Sequence, residues 1–195
     1  TRMEGRCVSY DARSPYGPFV ELLRTWPGVE ESDAELAVRT KLRARAGALL
    51  GATRERVLPY LGLLLSIRLE PDVERELLDE RGGAGNYLLA LSADELSDRM
   101  QEAFVMWAEA LGATRPLILA IDDLHWADRT TRELAERLLE LTDRSAVMLA
   151  TALRPDAGSE GWAFRLAAQM RFAHRVDELA LLPLATREAA QQGEA

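Results

Sequence analysis

The sequence predicts an α/β fold built on a parallel sheet that helices cover on both faces. Two apolar runs, at residues 117–121 and 146–150, show no polar alternation, which is typical of parallel strands buried on both faces. The segment between them begins near Asp128 and carries leucines at helical spacing, so it predicts a helix. A strand, a helix and a strand in this order form a crossover unit, which joins parallel strands of one sheet.

The amino-terminal part is predicted to form a strand, a loop and a helix. Residues 6–10 are rich in strand-preferring types, and residues 14–18 then break the chain with two prolines and a glycine. The apolar residues within 19–23 indicate the helix that follows.

The middle of the chain is predicted to be helical. From residue 32 to about residue 80, leucines recur at three- and four-residue steps, which predicts three or four short helices. Breaks are expected at Gly51, Pro59 and Pro71. The glycine-rich stretch 82–86 is predicted to be a flexible joint, because glycine has the most backbone freedom to lose on ordering.

The carboxyl half contains the most regular helical pattern of the chain. Ser92 is expected to cap this helix, because a serine oxygen can accept a hydrogen bond from a free amide of the first turn. The apolar face of the helix consists of Leu96, Met100, Phe104, Trp107 and Leu111. Beyond the second apolar strand, a helix is predicted at residues 162–172 and a last strand at residues 176–182.

Composition and charge disfavour several functional classes. The 195 residues have a mass of 21.7 kDa, which fits one domain. The chain has 24 Lys and Arg against 32 Asp and Glu, and its net charge of −8 disfavours non-specific binding to nucleic acid or anionic membranes. Cys7 is the single cysteine, which predicts a reducing, cytoplasmic compartment. No apolar run approaches the roughly 20 residues that a membrane-spanning helix needs.

Two adjacent carboxylates, Asp122 and Asp123, follow the first apolar strand directly. Ligands of open α/β sheets bind at the carboxyl ends of the strands, where one Asp can support Mg²⁺ against nucleotide phosphates and a second can orient an attacking water. The alternative is that both residues start a helix and face solvent, which is the commoner situation for an arbitrary pair of Asp residues. The apolar strand before the pair favours the first interpretation, because it fixes where the carboxylates emerge.

A resemblance to a known family rests on this stretch. Residues 116–128, which read PLILAIDDLHWAD, resemble the Walker B segment of the AAA-like signal-transduction (STAND) ATPase modules. Such modules occur in LuxR-type transcriptional regulators, in multidomain adenylate/guanylate cyclases and in some serine/threonine kinases. Residues 16–23, 150–156 and 179–184 are similar to the family's segments after its second strand, after its fourth strand and at its fifth strand.

The resemblance implies a P-loop NTPase-type fold with a three-layer parallel sheet in the strand order 5-1-4-3-2. It implies a regulatory switch of a bacterial signalling or transcriptional protein that binds ATP and Mg²⁺, hydrolyses ATP and acts on effector domains of the same polypeptide. DNA binding or cyclase activity would belong to those domains, and a homo-oligomer is an option that the resemblance leaves open. Neither a membrane nor nucleic acid is an expected partner of this segment.

The resemblance also implies roles for individual residues. Asp122 would support Mg²⁺, and Asp123 would be the catalytic carboxylate that orients the attacking water. Arg154 lies at a sensor-like position that could contact the terminal phosphate, although a solvent-exposed turn arginine is an equally good interpretation. His125 and Trp126 are expected to pack and to shape the loop.

One part of the family pattern does not occur in the 195 residues. A phosphate-binding loop reads G-x-x-x-x-G-K-S/T, but the glycines of 82–86 are not followed by Lys-Ser/Thr, and Lys41 lies in a helical run. Because the chain begins at what resembles the family's second strand, the first strand and this loop are expected upstream of Thr1. The chain alone is therefore expected to bind ATP poorly and to be inactive as an ATPase.

The predicted organisation is a partial ATPase domain over residues 1–195. The second strand and its helix occupy 1–31, a helical insertion 32–93, and the Walker B core with the later strands 94–195. The alternative is a non-catalytic scaffold or oligomerisation module of the same fold that has lost nucleotide binding. A nucleophilic hydrolase or a zinc site is disfavoured, because two histidines and one cysteine cannot supply the usual residue sets.

Overall fold

The computed structural model describes residues 1–9, 15–30, 32–67 and 91–182, in which helices pack against a parallel sheet. The strands are Arg2–Arg6 (β1), Leu117–Asp122 (β2) and Val147–Thr151 (β3). The helices are Gly17–Thr25 (α1), Glu35–Leu50 (α2), Arg54–Leu64 (α3), Ala93–Thr114 (α4), Arg129–Leu139 (α5), Leu141–Arg144 (α6) and Glu160–Phe172 (α7). Short 3₁₀ turns lie at Gly51–Thr53 and Leu124–Trp126.

The three strands run parallel in the order β1-β2-β3. Arg2 pairs with Ile118 and Ile118 pairs with Met148, so the strands are aligned near their starts. Parallel pairing brings the carboxyl ends of all three strands to one edge of the sheet, where ligands of α/β proteins bind. The prediction of an α/β fold with a parallel sheet is confirmed.

The first strand begins four residues earlier than predicted: it covers Arg2–Arg6 instead of residues 6–10. Met3 and Gly5 face the covered side of the sheet, while Arg2, Glu4 and Arg6 are exposed on the other side. Charged residues and glycine are uncommon in strands, so the amino-acid pattern of residues 2–6 does not indicate a strand. The strand forms here because its backbone pairs with β2 over its whole length.

Gly5 allows α1 to approach the sheet. A Cβ atom at this position would lie 2.2 Å from the carbonyl oxygen of Pro18 and 2.8 Å from its carbonyl carbon. Both atoms are backbone, so a side chain at position 5 would push the first turn of α1 away from β1. The glycine is therefore required for the close contact between strand and helix.

We expect Gly5→Ala to lower the free energy of unfolding by about 1–3 kcal/mol, because α1 must shift to admit the methyl group. Urea denaturation measures this change. Gly47→Ala is the matched control, because its Cβ would meet only an arginine nitrogen at 3.8 Å and alanine is the better helix former in α2. A Gly5→Ala variant as stable as Gly47→Ala would contradict the packing described.

Helices α1 and α4 lie against one face of the sheet. Leu117, Leu119 and Ile121 of β2 are buried on this face, whereas Ile118 and Met148 on the other face are 36% and 58% exposed. The expectation that helices cover both faces of β2 is thus not met within the described residues, in which Ile118 is exposed. The three-layer arrangement, with helices on both faces of the sheet, stays a prediction.

Four predicted helices, now α1, α4, α5 and α7, are confirmed. Ser92 caps α4 as expected: its hydroxyl accepts a hydrogen bond from the Glu95 amide at 3.3 Å, and the Glu95 carboxylate accepts one from the Ser92 amide at 2.9 Å. Helices α2 and α3 lie where three or four short helices were predicted, with the expected break at Gly51. The predicted break at Pro59 is wrong, because α3 continues through this residue. Proline has no amide hydrogen to donate within the helix, but the buried residues around Pro59 hold α3 together.

The last predicted strand, at residues 176–182, is also wrong. The chain has no regular secondary structure there, and Leu179, Leu181 and Leu182 are each 85% exposed. No described strand lies beside this segment, and a strand without a partner leaves its backbone groups unpaired.

Two predicted features, the break at Pro71 and the flexible joint at residues 82–86, lie outside the described residues. The division of the chain into residues 1–31, 32–93 and 94–195 stays a prediction.

An aromatic cluster joins α1 to α4. The ring of Phe104 meets Phe19 edge-on at a centroid distance of 5.2 Å and Trp107 at 4.8 Å. Trp26 packs on Trp107 at 5.5 Å in the same manner. Phe19, Phe104 and Trp107 are fully buried, so the cluster forms the centre of the core.

None of the described helices is both long and apolar enough to cross a membrane.

Candidate functional site

The two predicted carboxylates lie at the carboxyl edge of the central strand. Asp122 is the last residue of β2, and Asp123 follows in the left-handed conformation, with φ 54° and ψ 38°. The backbone amide of Asp123 donates a hydrogen bond to Asp122 Oδ1 at 3.0 Å. Asp and Asn adopt this conformation more readily than other residues with a side chain. Both carboxylates therefore lie at the strand end, as the sequence predicts.

Arg6 contacts both carboxylates. One of its terminal guanidinium nitrogens lies 3.0 Å from Asp122 Oδ2, and its Nε lies 3.2 Å from Asp123 Oδ2. The side chains of Arg6, Asp122 and Asp123 are 61%, 53% and 30% exposed, so water screens both ion pairs and each stabilises the fold little. Arg6 is not among the predicted site residues, because a first strand at residues 6–10 would begin at Arg6 and place it at the opposite edge of the sheet.

The segment after Asp123 is held by a short turn and a helix cap. Leu124–Trp126 form a 3₁₀ turn, in which His125 is buried and Trp126 is 43% exposed. The Asp128 carboxylate then accepts hydrogen bonds from the amides of Thr130 and Thr131 at 3.2 and 3.1 Å, which caps α5. The Asp128 carboxylate is thus used to cap α5, while the Asp122 and Asp123 carboxylates are accessible to solvent at the edge of the sheet.

Arg154 lies in the loop after β3, on the same edge of the sheet. Its side chain is exposed, and its backbone amide donates a hydrogen bond to His125 Nδ1 at 3.4 Å. Backbone hydrogen bonds from Leu124 to Ala152 at 2.8 Å and from Ala152 to Ile121 at 3.0 Å join the loops that follow β2 and β3. The structure therefore brings the Arg154 loop beside the Asp122–Asp123 turn, as parallel neighbouring strands require.

A cleft of about 220 Å³ opens beside this turn, between the end of β1, helix α1 and the first turn of α5. Cys7 and the exposed Trp126 line the cleft, together with charged residues of both signs. The charged residues are Arg6, Glu21, Arg24 and Asp128. The Arg6 amide donates a hydrogen bond to Glu21 Oε2 at 2.8 Å, which fixes one wall. The cleft adjoins the carboxylate pair through Arg6, which lines the cleft and contacts both carboxylates.

Burial raises the pKa of the Cys7 thiol from 9.0 to about 12, and the nearby carboxylates of Asp128, Asp123, Glu21 and Asp122 add to this effect. Cys7 is only 4% exposed. An acid whose pKa rises on folding keeps its proton in the folded state, so the thiol is neutral at physiological pH. Cys7 is therefore a packing residue rather than a nucleophile.

We expect iodoacetamide at pH 8 to alkylate Cys7 in the folded chain about 100-fold or more slowly than a free cysteine, because the thiolate is scarce and buried. Mass spectrometry measures the rate. The same reaction in urea is the control, since unfolding restores the ordinary pKa and access. A folded-state rate within tenfold of the free thiol would contradict the burial and charge described.

The carboxylate pair fits Mg²⁺ held by a nucleotide. Within residues 1–9, 15–30, 32–67 and 91–182, no group of three or more His, Cys, Asp or Glu side chains could hold a metal ion unaided. Mg²⁺ commonly binds through one or two carboxylates and completes its six oxygen ligands with water and substrate phosphates. Asp122 offers a carboxylate of this kind at the edge where ligands bind in this fold class, and Asp123 lies beside it.

Comparison with known families agrees with this geometry. The family model described as an AAA ATPase domain matches residues 1–150, so the chain belongs to the AAA ATPase domain family. No curated protein and no solved structure gives a significant match. Use of ATP and Mg²⁺ is general in this family, and the matched region includes β1, β2 and the Asp122–Asp123 turn.

Proposed function

We propose that this chain is the Mg²⁺-binding and hydrolytic part of an ATP-dependent switch in a bacterial signalling or transcriptional regulator. The observation that carries the proposal is the pair of accessible carboxylates, Asp122 and Asp123, at the carboxyl end of the central parallel strand. Membership of the AAA ATPase domain family supports the nucleotide, and the effector domains of the same polypeptide are the proposed partners.

Each residue of the edge has a role in this proposal. Bound Mg²⁺ would neutralise phosphate charge as the terminal phosphoryl group is transferred. Asp122 would provide the metal with a carboxylate ligand and keep it at the strand end. Asp123, held in its left-handed conformation, would accept a hydrogen bond from the attacking water and orient it. Arg154 would bring a positive charge to the terminal phosphate from the neighbouring loop.

We further propose that a segment outside these 195 residues supplies the phosphate-binding loop. Two features of the sheet support this. Among the described strands, β3 has a neighbour on one side only, so its other edge is open to a further strand. The order β1-β2-β3 also fits the second, third and fourth strands in the family order 5-1-4-3-2, where the first strand would lie beside β3. A polypeptide with both parts is called the complete polypeptide below.

Arg6 is paired with Asp122, the carboxylate that the metal would use, so Mg²⁺ must compete with the Arg6 guanidinium. We expect Arg6→Gln in the complete polypeptide to lower the Mg²⁺ concentration for half-maximal hydrolysis about two- to fivefold, the size of one exposed ion pair. Arg2→Gln, on the same face of β1 but paired with Glu4, is the matched control and should leave this concentration unchanged. An unchanged or higher requirement in Arg6→Gln would show that Arg6 does not oppose the metal.

Titration calorimetry with Mg·ATP tests the proposed function. The complete polypeptide is expected to bind ATP at micromolar concentrations, and the 195-residue chain alone is expected to bind it much more weakly. Micromolar binding by the 195-residue chain would overturn the proposed location of the phosphate-binding loop. No binding by the complete polypeptide would favour the alternative, a non-catalytic scaffold or oligomerisation module of the same fold.

A further inference from the structure

His125 is a buried histidine in the turn that follows the carboxylates. It is 7% exposed, and its Nδ1 accepts the hydrogen bond from the Arg154 amide. An amide can donate only to an unprotonated ring nitrogen, so the proton of neutral His125 lies on Nε2. Nε2 is buried and has no hydrogen-bond partner within the part of the chain that the structure describes. The ring is thus oriented by its Nδ1 contact.

The contact to Arg154 differs from the other bonds between the two loops. Leu124 and Ala152 are joined through backbone atoms, which any residue would supply. The bond to the Arg154 amide needs an acceptor on the side chain of residue 125, and it lies two residues further along the β3 loop than Ala152. Among the described contacts between these loops, it is the one that reaches Arg154.

Packing around the turn prevents the His125 ring from moving away. Helix α7 approaches so closely that a Cβ at Gly161 would lie 2.6 Å from the Leu124 carbonyl oxygen and 2.8 Å from the His125 amide nitrogen. The centroid of the Trp126 ring lies 4.8 Å from that of the His125 ring, and the two rings are tilted by 43°. With its backbone held by α7 and its ring against Trp126, His125 presents Nδ1 to the β3 loop in one orientation.

We propose that His125 is a positioning residue, which sets the Arg154 backbone relative to the Asp122–Asp123 turn. This inference rests on the proposed function, in which Asp122 holds the metal, Asp123 orients the attacking water and Arg154 contacts the terminal phosphate.

Amide hydrogen exchange at Arg154 tests the contact in the 195-residue chain, without nucleotide. His125→Asn keeps an acceptor near the Nδ1 position, His125→Phe has a ring without an acceptor, and His125→Gln places its carbonyl near the Nε2 position instead. We expect exchange at Arg154 to be about three- to tenfold faster in the Phe and Gln variants and near normal in the Asn variant. The Ala152 amide, which donates to a backbone carbonyl, is the internal reference and should not change.

The outcomes separate this inference from the proposed function. Equal exchange at Arg154 in all four proteins, or equal acceleration at Arg154 and Ala152, would overturn the positioning role whether or not the chain binds ATP. If the Phe variant fails to fold, the comparison of Asn with Gln decides. In the complete polypeptide, the Gln variant should lower kcat several-fold with ATP affinity unchanged, and the Asn variant should restore kcat. A Gln variant that loses ATP affinity while its kcat stays unchanged would also overturn the positioning role.

Discussion

Asp122→Asn is expected to lower the rate of Mg²⁺-dependent ATP hydrolysis by the complete polypeptide more than about 100-fold. Loss of groups that merely orient metal ligands reduces metal affinity or activity about 10- to 100-fold, so loss of the ligand's own charge should exceed this range. The substitution keeps the shape of the side chain and still offers an oxygen to the Asp123 amide. Its effect therefore reports the missing negative charge rather than a change of the turn.

A steady-state phosphate-release assay over a range of Mg²⁺ concentrations measures this loss. Asp177→Asn is the matched control, because Asp177 is an exposed carboxylate with no described contact and lies outside the sheet edge. Circular dichroism checks that the variants fold alike. Hydrolysis by Asp122→Asn within threefold of the control would remove Asp122 from the metal site and leave the carboxylate pair as a structural feature of the turn.

Phe104→Ala is expected to lower the free energy of unfolding by about 3–5 kcal/mol, the usual range for removal of a fully buried aromatic ring. Phe104 is 0% exposed and lies between Phe19 and Trp107, so its removal leaves a cavity where α1 meets α4. The neighbouring rings cannot collapse into this space without moving a helix. The loss is a large part of the 5–15 kcal/mol that stabilises an ordinary domain.

Urea denaturation at equilibrium measures this stability change. Phe104→Leu should lose less than half as much, because leucine fills most of the cavity, and Leu36→Ala should change stability by less than about 0.5 kcal/mol, because Leu36 is 64% exposed. A Phe104→Ala variant that unfolds at the same urea concentration as Leu36→Ala would contradict the central position of the aromatic cluster.

The location of the carboxylates could be predicted from the sequence because the strand before them has a strong local signal. Five apolar residues in a row predict the core of β2, and the chain order then determines which residues emerge at its carboxyl end. Helix α4 could be predicted from the sequence equally well, since its N-terminal cap and its apolar stripe are both local patterns. These predictions use only residues that are close in sequence.

Arg6 and the His125–Arg154 contact could not be predicted in the same way. The position of Arg6 depends on the register between β1 and β2, which pairs residues more than a hundred positions apart. The charged face of β1 conceals its alternation, so the strand was predicted four residues too late and its carboxyl end was misplaced. The bond between His125 and Arg154 likewise arises only when two loops that follow different strands meet at one edge.

Pro59 and residues 176–182 show the opposite limit, in which a local signal is clear but its surroundings decide the structure. Pro59 predicts a helix break, yet the buried residues around it keep α3 continuous. The leucines of 176–182 favour a strand, yet no described strand offers them a partner. Helix and strand preferences are weak compared with burial and backbone pairing, which the sequence pattern alone does not reveal.

Metal binding in the presence of nucleotide tests the central claim most directly. Mn²⁺ can replace Mg²⁺ in sites with oxygen ligands, and electron paramagnetic resonance measures its free concentration. With ATP and the complete polypeptide present, we expect Asp122→Asn to weaken Mn²⁺ binding more than about tenfold while Asp177→Asn leaves it unchanged. Equal Mn²⁺ affinity in both variants would contradict the claim that the carboxyl end of β2 holds the metal of an ATP site.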